Sequence, residues 1–223
     1  MKAELLSAFG DDLMVVNTAR VSMGKRHNGF DPESDTRLIN YLARNGHWSP
    51  FSHPKATFHL HLPIFVARQW EKHRIGAVRG YDIYDQNEVS RRYVDDAPVF
   101  FVPTEWRSRP NGNIKQGSGA PLAEEASRIA DAALKMAHAQ TRDSYIALLE
   151  AGVAPEQARM VLPQTMYTQW IETGSLTYWA RLCRLRLDSH AQREIRDLAA
   201  QVSEQMAQAF PVSWAALMEH THV

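Results

Sequence analysis

The clearest pattern in the chain runs from Lys55 to Leu62, where Ala56, Phe58, Leu60 and Leu62 alternate with Lys55, Thr57, His59 and His61. Strict alternation of this kind predicts a strand with one face in a core and the other in a polar setting. A shorter strand is expected near Ala3 to Phe9. A helix follows from Asp11 or Asp12 to about Val21, because Leu13, Val16 and Arg20 fall at helical spacing. The stretch from Asp31 or Ser34 to Asn45 also reads as a helix, with acidic residues in its first turn and Gly46 just past its end, where glycine accepts a left-handed backbone. Pro63 suits the first position of a further helix through Ile64 to His73, with Gln69, Lys72 and His73 on one face. The second half reads as helix: a long amphipathic one from Pro121 to about Ala151, ended by Gly152, then shorter ones from Pro155, from Ser175 and from Ser189 to Phe210. With strands expected only in the first hundred residues and helices grouped afterwards, the layer rules favour an α+β class. The expected architecture is a central mixed or antiparallel sheet with flanking helices and a helical second half, one domain over 1–223.

Composition narrows the function. The 25 Lys and Arg balance 25 Asp and Glu, and zero formal charge weighs against general nucleic-acid binding. No apolar run reaches the length of a membrane span, and Met1 to Gly10 lacks the basic start and apolar stretch of a signal peptide. The single cysteine, Cys183, forms no internal disulfide and no cysteine metal cluster; a reducing cytoplasm is the expected compartment. Its place between Leu182 and Arg184 in an apolar helical stretch reads as a structural thiol rather than a nucleophile.

The basic residues are six Lys against 19 Arg. Arg is the residue of bidentate phosphate and carboxylate recognition. Two clusters stand out: Arg68, Arg74, Arg79, Arg91 and Arg92 in one stretch, and Arg181, Arg184, Arg186, Arg193 and Arg196 in another. The histidines His47, His53, His59 and His61 invite a metal reading, but no HExxH pair or matching carboxylate spacing accompanies them, so no metal site is expected. No glycine-rich phosphate loop is present, so a bound nucleotide would be held by side chains and scattered amides. Lys72-His73-Arg74-Ile75, then Gly76 to Gln86, then Asn87-Glu88-Val89-Ser90-Arg91-Arg92-Tyr93 can offer a phosphate positive forks, a hydroxyl and loop amides.

These residues resemble the signature of the flavin-dependent thymidylate synthases: Arg-His-Arg, a spaced Ser, then Asn-x-x-Ser-x-Arg. Gly46-His47-Trp48-Ser49-Pro50-Phe51, Pro63 to Trp70, Ala158-Arg159 before Val161-Leu162-Pro163, and Leu185 to Gln192 resemble further family blocks in the same order, so the resemblance covers about Asp11 to Pro211. It implies the family's fold and a homotetramer whose active sites sit where subunits meet, each holding FAD and a uridine 5′-monophosphate, with neither nucleic acid nor membrane as partner. Lys72, His73 and Arg74 would belong to the FAD signature, with His47 and Ser49 near the flavin and His190 reaching the cofactor from the helical half. Gln69, Glu88, Ser90, Arg91, Arg92 and Arg159 would bind the nucleotide. Arg186 would reach the pyrimidine, and its spacing to His190 and Arg193 puts all three on one face of a continuous helix. The implied reaction passes a one-carbon unit from methylenetetrahydrofolate through reduced flavin to uracil C5, with NADPH reducing the flavin and no enzyme nucleophile. Arg186 would then stabilise negative charge on the pyrimidine.

Three departures from the family pattern surround the same pocket. Lys72 replaces the first Arg and loses its planar fork. The Gly76 to Gln86 connection, with Arg79, Tyr81 and Tyr84, is longer than usual, and the spaced Ser is missing. Ser175 and Arg181 stand where the family usually has asparagines near the cofactor. The substrate is therefore expected to be dUMP, UMP or both, the last two as in relatives that serve nucleoside-antibiotic pathways. A non-catalytic, Arg-rich nucleotide- or RNA-binding protein is the alternative, opposed by the neutral charge and the absence of an aromatic RNA-binding motif.

Overall fold

The computed structural model describes residues 1–73, 85–93, 96–110 and 117–220. Four antiparallel strands, β1 (Lys2–Phe9), β2 (Lys55–Pro63), β3 (Asp85–Glu88) and β4 (Tyr167–Ser175), form one sheet in the order β1-β2-β4-β3. Along β2 the alternation holds: Ala56, Phe58, Leu60 and Leu62 are buried, and the opposite set is half-buried. The helices are α1 (Asp12–Arg20), α2 (Ser34–Arg44), α3 (Ile64–Trp70), α4 (Glu124–Glu150), α5 (Pro155–Ala158), α6 (Leu176–Leu187), α7 (Arg193–Ala209) and α8 (Pro211–His220). The core lies between the apolar face of the sheet and α6, α7 and α8, with Trp179, Leu182, Cys183, Leu198, Val202 and Met206 fully buried. Trp179 Nε1 donates to the Ala56 carbonyl at 3.1 Å, tying α6 to β2.

Side chains finish what the elements leave open. Asp12 at the start of α1 accepts the Val212 and Ser213 amides at 3.0 and 2.8 Å and so caps α8 from across the chain. On the edge strand β1, Gln201 and Gln205 of α7 accept the Ala3 and Leu5 amides at 3.0 and 2.8 Å, and Gln205 donates to the Ala3 carbonyl at 3.0 Å. That stretch of edge is no longer open to another strand.

Several expectations need correction. β4 lies in the second half of the chain and pairs along the whole of β2, so strands are not confined to the first hundred residues. Its inward positions are Thr168, Trp170, Glu172 and Gly174, which are mostly polar or without a side chain, so hydrophobic alternation does not announce it. β3 takes up the end of the stretch read as an insertion; Arg74, Arg79, Tyr81 and Tyr84 lie outside the described residues. Pro63 closes β2 with extended backbone (φ −74°, ψ 152°) rather than opening a helix; α3 begins at Ile64 and gives way at Glu71–His73 to a 3-10 turn. Pro121 does not begin the long helix: it bridges to Arg107, and α4 starts at Glu124. The last reading to fall is the continuous helix through Arg186, His190 and Arg193. α6 stops at Leu187, Asp188 turns out with ψ 139°, and α7 begins only at Arg193, so the three residues share no helix face.

Candidate active site

Five of the candidate nucleotide-binding residues meet in one cleft. It measures about 960 Å³ and is walled by β3, the turn after it, α3 and the segment from α5 to β4. Glu88 ends β3 opposite Trp170, and the Val89 amide extends the pairing to the Gln169 carbonyl at 3.0 Å. Thr168 Oγ1 donates to Glu88 Oε1 at 2.5 Å and fixes that carboxylate against β4. A tight turn follows, closed by the Tyr93 amide on the Ser90 carbonyl at 3.0 Å, so that Ser90, Arg91 and Arg92 all line the cleft. Arg92 Nε donates to Ser90 Oγ at 3.2 Å, with its guanidinium carbon 5.1 Å from the Tyr93 ring centre. Arg159 enters from the end of α5, its Nε on the Glu156 carbonyl at 3.2 Å. Arginine forks beside a hydroxyl make a receptor for a phosphate dianion.

Arg68, named in the sequence only as a member of the first arginine cluster, belongs to the same cleft. It lies four residues after Ile64, which also faces the cleft, and its Nε donates to Gln164 Oε1 at 3.2 Å. Gln69, the next residue, points elsewhere, because one step along a helix turns about 100°. Its amide nitrogen donates to Gln192. Neither Gln69, His73 nor Arg186 lines the cleft.

Outside the cleft, Arg186 Nε donates to His73 Nε2 at 2.6 Å. The imidazole must therefore be neutral with its proton on Nδ1. Burial and then the charges of Arg186 and Arg181 push its pKa down to about 4, in keeping with that tautomer. Burial also lowers Arg186. Lys72 is exposed beside His73 in the same turn. Arg181 is exposed on α6, whereas Ser175 is buried and caps that helix, its Oγ accepting the Tyr178 amide at 3.2 Å. Also on α6, Thr177 Oγ1, which went unread in the sequence, and Nη1 of the cluster residue Arg184 are buried with no hydrogen-bond partner among the described residues. Thr177, Arg181 and Arg184 fall at the spacing of one helix face, a signal that the Ser175 and Arg181 positions already suggested.

Of the remaining candidates, His190, His47, Ser49, His59 and His61, only His61 lines the cleft. His190 is exposed, its amide and Nδ1 both on Asp188 Oδ1 at 2.8 and 2.9 Å, which holds the Asp188 carboxyl below its ordinary range. His47 and Ser49 are exposed on the loop after α2; the His47 ring stands edge-on to Tyr41 at 5.8 Å, and the Ser49 carbonyl accepts Ser52 Oγ at 2.7 Å. His59 pairs with Gln169 at 3.0 Å and His61 stacks on Tyr167 at 4.6 Å. Among the described residues no three His, Cys, Asp or Glu side chains stand where they could hold a metal ion, and no helix is long and apolar enough to cross a membrane. Cys183 is fully buried, and burial pushes its thiol far up, away from the thiolate a nucleophile needs.

The family described as Thymidylate synthase complementing protein matches residues 4–212. A flavin-dependent thymidylate synthase of Thermus thermophilus is 39% identical over 97% of this chain and 75% of its own length. One of Thermosipho africanus is 36% identical over 98% and 91%. Among solved structures, a UMP/dUMP methylase, PolB from Streptomyces cacaoi, bound with 5-Br dUMP, superposes with a TM-score of 0.83 at 30% identity, covering 100% of this chain and 96% of that one; its 5-Br UMP complex gives 0.83 at 28%. This is a family of enzymes, which disfavours the non-catalytic alternative. With the family model matched over residues 4–212 and relatives at 36–39% identity covered over three quarters or more of their length, this protein is an enzyme and the chain belongs to the flavin-dependent thymidylate synthase family.

Proposed function

We propose that this protein methylates C5 of uracil in a uridine 5′-monophosphate, accepting dUMP and UMP. The observation that carries the reading is the cleft in which Ser90, Arg91, Arg92 and Arg159 converge, with Glu88 anchored beside them by Thr168. Arg92, Ser90 and Arg159 hold the phosphate, and Glu88 accepts from the nucleoside end. Arg186 stabilises the charge that gathers on the pyrimidine as C5 becomes nucleophilic, and neutral His73 keeps its guanidinium aimed. Acceptance of both nucleotides is supported by the PolB complexes with 5-Br dUMP and 5-Br UMP.

The residues fit a bound FAD. Unpartnered donors at Thr177 and Arg184, with Arg181 exposed on the same helix and Lys72 and Ser49 exposed on other segments, are what an anionic dinucleotide would use. When bound, reduced flavin supplies the one-carbon transfer and hydride, fed by methylenetetrahydrofolate and NADPH as co-substrates. His190 and His47 contact the cofactor in this reading.

The working unit is a homotetramer with sites between subunits. Support comes from the separation of the two residue groups within one chain. It comes also from α4, which leaves Ile129 and Met136 at 63% and 70% exposure on a helix whose buried side chains are only His138 and Tyr145.

The test is an assay with FAD, NADPH and methylenetetrahydrofolate, run with dUMP and UMP separately and read by product mass. Methylated product from both nucleotides is expected. No product from protein that has bound FAD would refute the function, and product from dUMP alone would refute the dual specificity.

A further inference from the structure

A chain of hydrogen bonds decides which end of the Gln69 amide faces outward. Gln69 Nε2 donates to Gln192 Oε1; Gln192 Nε2 donates to Glu194 Oε2 at 2.8 Å; Glu194 Oε1 accepts from Arg107 Nη2 at 2.6 Å; and Arg107 Nε donates to Ser118 Oγ at 2.7 Å. A glutamine can present either end, and only its partners fix the choice. An ionised carboxylate leaves no choice, because it accepts at both oxygens. Glu194 stays ionised although it is buried: burial alone would raise its pKa, but Arg107, Gln192 and its own backbone amide hold it below the ordinary carboxylate range. Gln192 must therefore turn its NH₂ to Glu194 and its carbonyl to Gln69, and Gln69 must turn its NH₂ to Gln192. The carbonyl Oε1 of Gln69 is the atom left outside the relay.

We propose that Arg107, Glu194 and Gln192 are positioning residues that fix the polarity of the Gln69 amide, so that Gln69 meets the nucleotide as a hydrogen-bond acceptor. The group it faces is a donor, a sugar hydroxyl or the pyrimidine N3–H, and not a phosphate oxygen. This rests on Gln69 being a nucleotide contact. The relay also lines a cavity of about 230 Å³ together with Phe65, Phe101 and Trp106.

The experiment compares the FAD-loaded wild type with Glu194→Gln, Gln192→Met and Gln69→Met. Each is measured for dUMP, for its 3′-deoxy analogue and for N3-methyl-dUMP, with kcat and KM separated and nucleotide affinity measured by calorimetry. Glu194→Gln abolishes the acceptor-only end of the relay, and Gln192→Met cuts it while sparing the Arg107–Glu194 pair, so one informs if the other does not fold. In the wild type one analogue should bind roughly 5- to 10-fold more weakly than dUMP, the cost of one unmatched hydrogen bond, and which analogue does so identifies the donor. Both relay variants should raise KM for dUMP by a similar factor, with a smaller fall in kcat, and should erase the discrimination against that analogue. Relay variants that keep the full discrimination overturn the proposal while leaving Gln69 as a contact. If Gln69→Met leaves dUMP affinity unchanged, the contact itself is wrong and the proposal falls with it.

Discussion

Glu172 is the buried group whose removal should cost most. It points inward from β4 with no solvent exposure and accepts Trp70 Nε1 at 3.1 Å, Trp170 Nε1 at 2.7 Å and the Tyr178 hydroxyl. Glu172→Leu keeps a similar volume but leaves three buried donors without this partner. Each lost hydrogen bond to a buried donor costs about 1–3 kcal/mol, and because neighbours relax together a total of about 4 kcal/mol is expected rather than the full sum. For a chain of this size 1 kcal/mol moves the melting temperature by about 2–4 °C, so the variant should melt roughly 8–16 °C below wild type. Glu172→Gln keeps one carbonyl oxygen for the two indoles and should fall between. Gly174→Ala attacks the same network from the other side, since a Cβ there would run into the Tyr178 ring and push its hydroxyl off the carboxylate. Calorimetric melts of the three variants decide the matter. A Leu variant melting with or above the Gln variant would refute the reasoning, because it would mean that apolar packing replaces those hydrogen bonds without loss. Trp70 ends α3, three residues before His73, so Glu172→Leu should also weaken the His73–Arg186 contact and lower kcat in the fraction that stays folded.

Three further outcomes are expected. Cys183→Ala should retain methylation activity and lose about 1 kcal/mol of stability, since the thiol only fills the core and touches the Ala199 carbonyl; an inactive but folded variant, judged by circular dichroism and product mass, would contradict this. Asp12→Ala should cost about 1–2 kcal/mol in urea unfolding through the lost cap on α8, and Asp12→Ser should recover part of it; equal stability of all three would remove the cap from the account. His73 has a folded pKa of about 4 against 6.5 unfolded, so the unfolded chain binds the extra proton between these values; the stability it contributes is complete above pH 6.5 and is lost as pH falls toward 4, about 3 kcal/mol in all. His73→Gln should flatten the stability profile in that window, and an unchanged slope measured by denaturant titration would exclude His73 as its source.

Some of this was legible in the sequence, for reasons that differ from element to element. β2 announces itself because its two faces meet opposite environments, and α2 because an acidic first turn and the left-handed Gly46 frame it. β4 stays hidden although it is central, since Glu172, Thr168 and Gly174 occupy inward places that apolar residues usually mark. Their partners, Trp70, Tyr178 and Glu88, lie on other elements that periodicity cannot consult. The same contrast runs through the site. Glu88, Ser90, Arg91 and Arg92 reach one cleft because they are close in sequence, on a strand end and its turn. Arg186 and His190 looked like one face only while helix was assumed to run through Asp188, where the chain instead turns out. The relay behind Gln69 joins partners 123 and 87 residues apart, and glutamines so far apart carry no local pattern.

α3 explains why the functional residues divide as they do. Its first amides are taken by the segment that leads into β4: Ile64 donates to the Met166 carbonyl at 2.9 Å and Phe65 to the Gln164 carbonyl at 3.0 Å. Gln164 then holds Arg68 by its side chain, so one residue fixes both the start of the helix and an arginine of the cleft. With Pro63 limiting the backbone at the junction, the rotation of the helix about its axis is set. Seven residues at about 100° each then face three ways: Ile64 and Arg68 to the cleft, Phe65 and Gln69 toward Phe101 and Gln192, and Trp70 to Glu172 in the core. The arginine-lined cleft and Gln69 thus lie on different sides of one short helix, with His73 in the turn that follows it. A single chain turns Gln69 away from the cleft, and the proposed site between subunits would reconcile the two, since a second copy would bring its own α3 to the first.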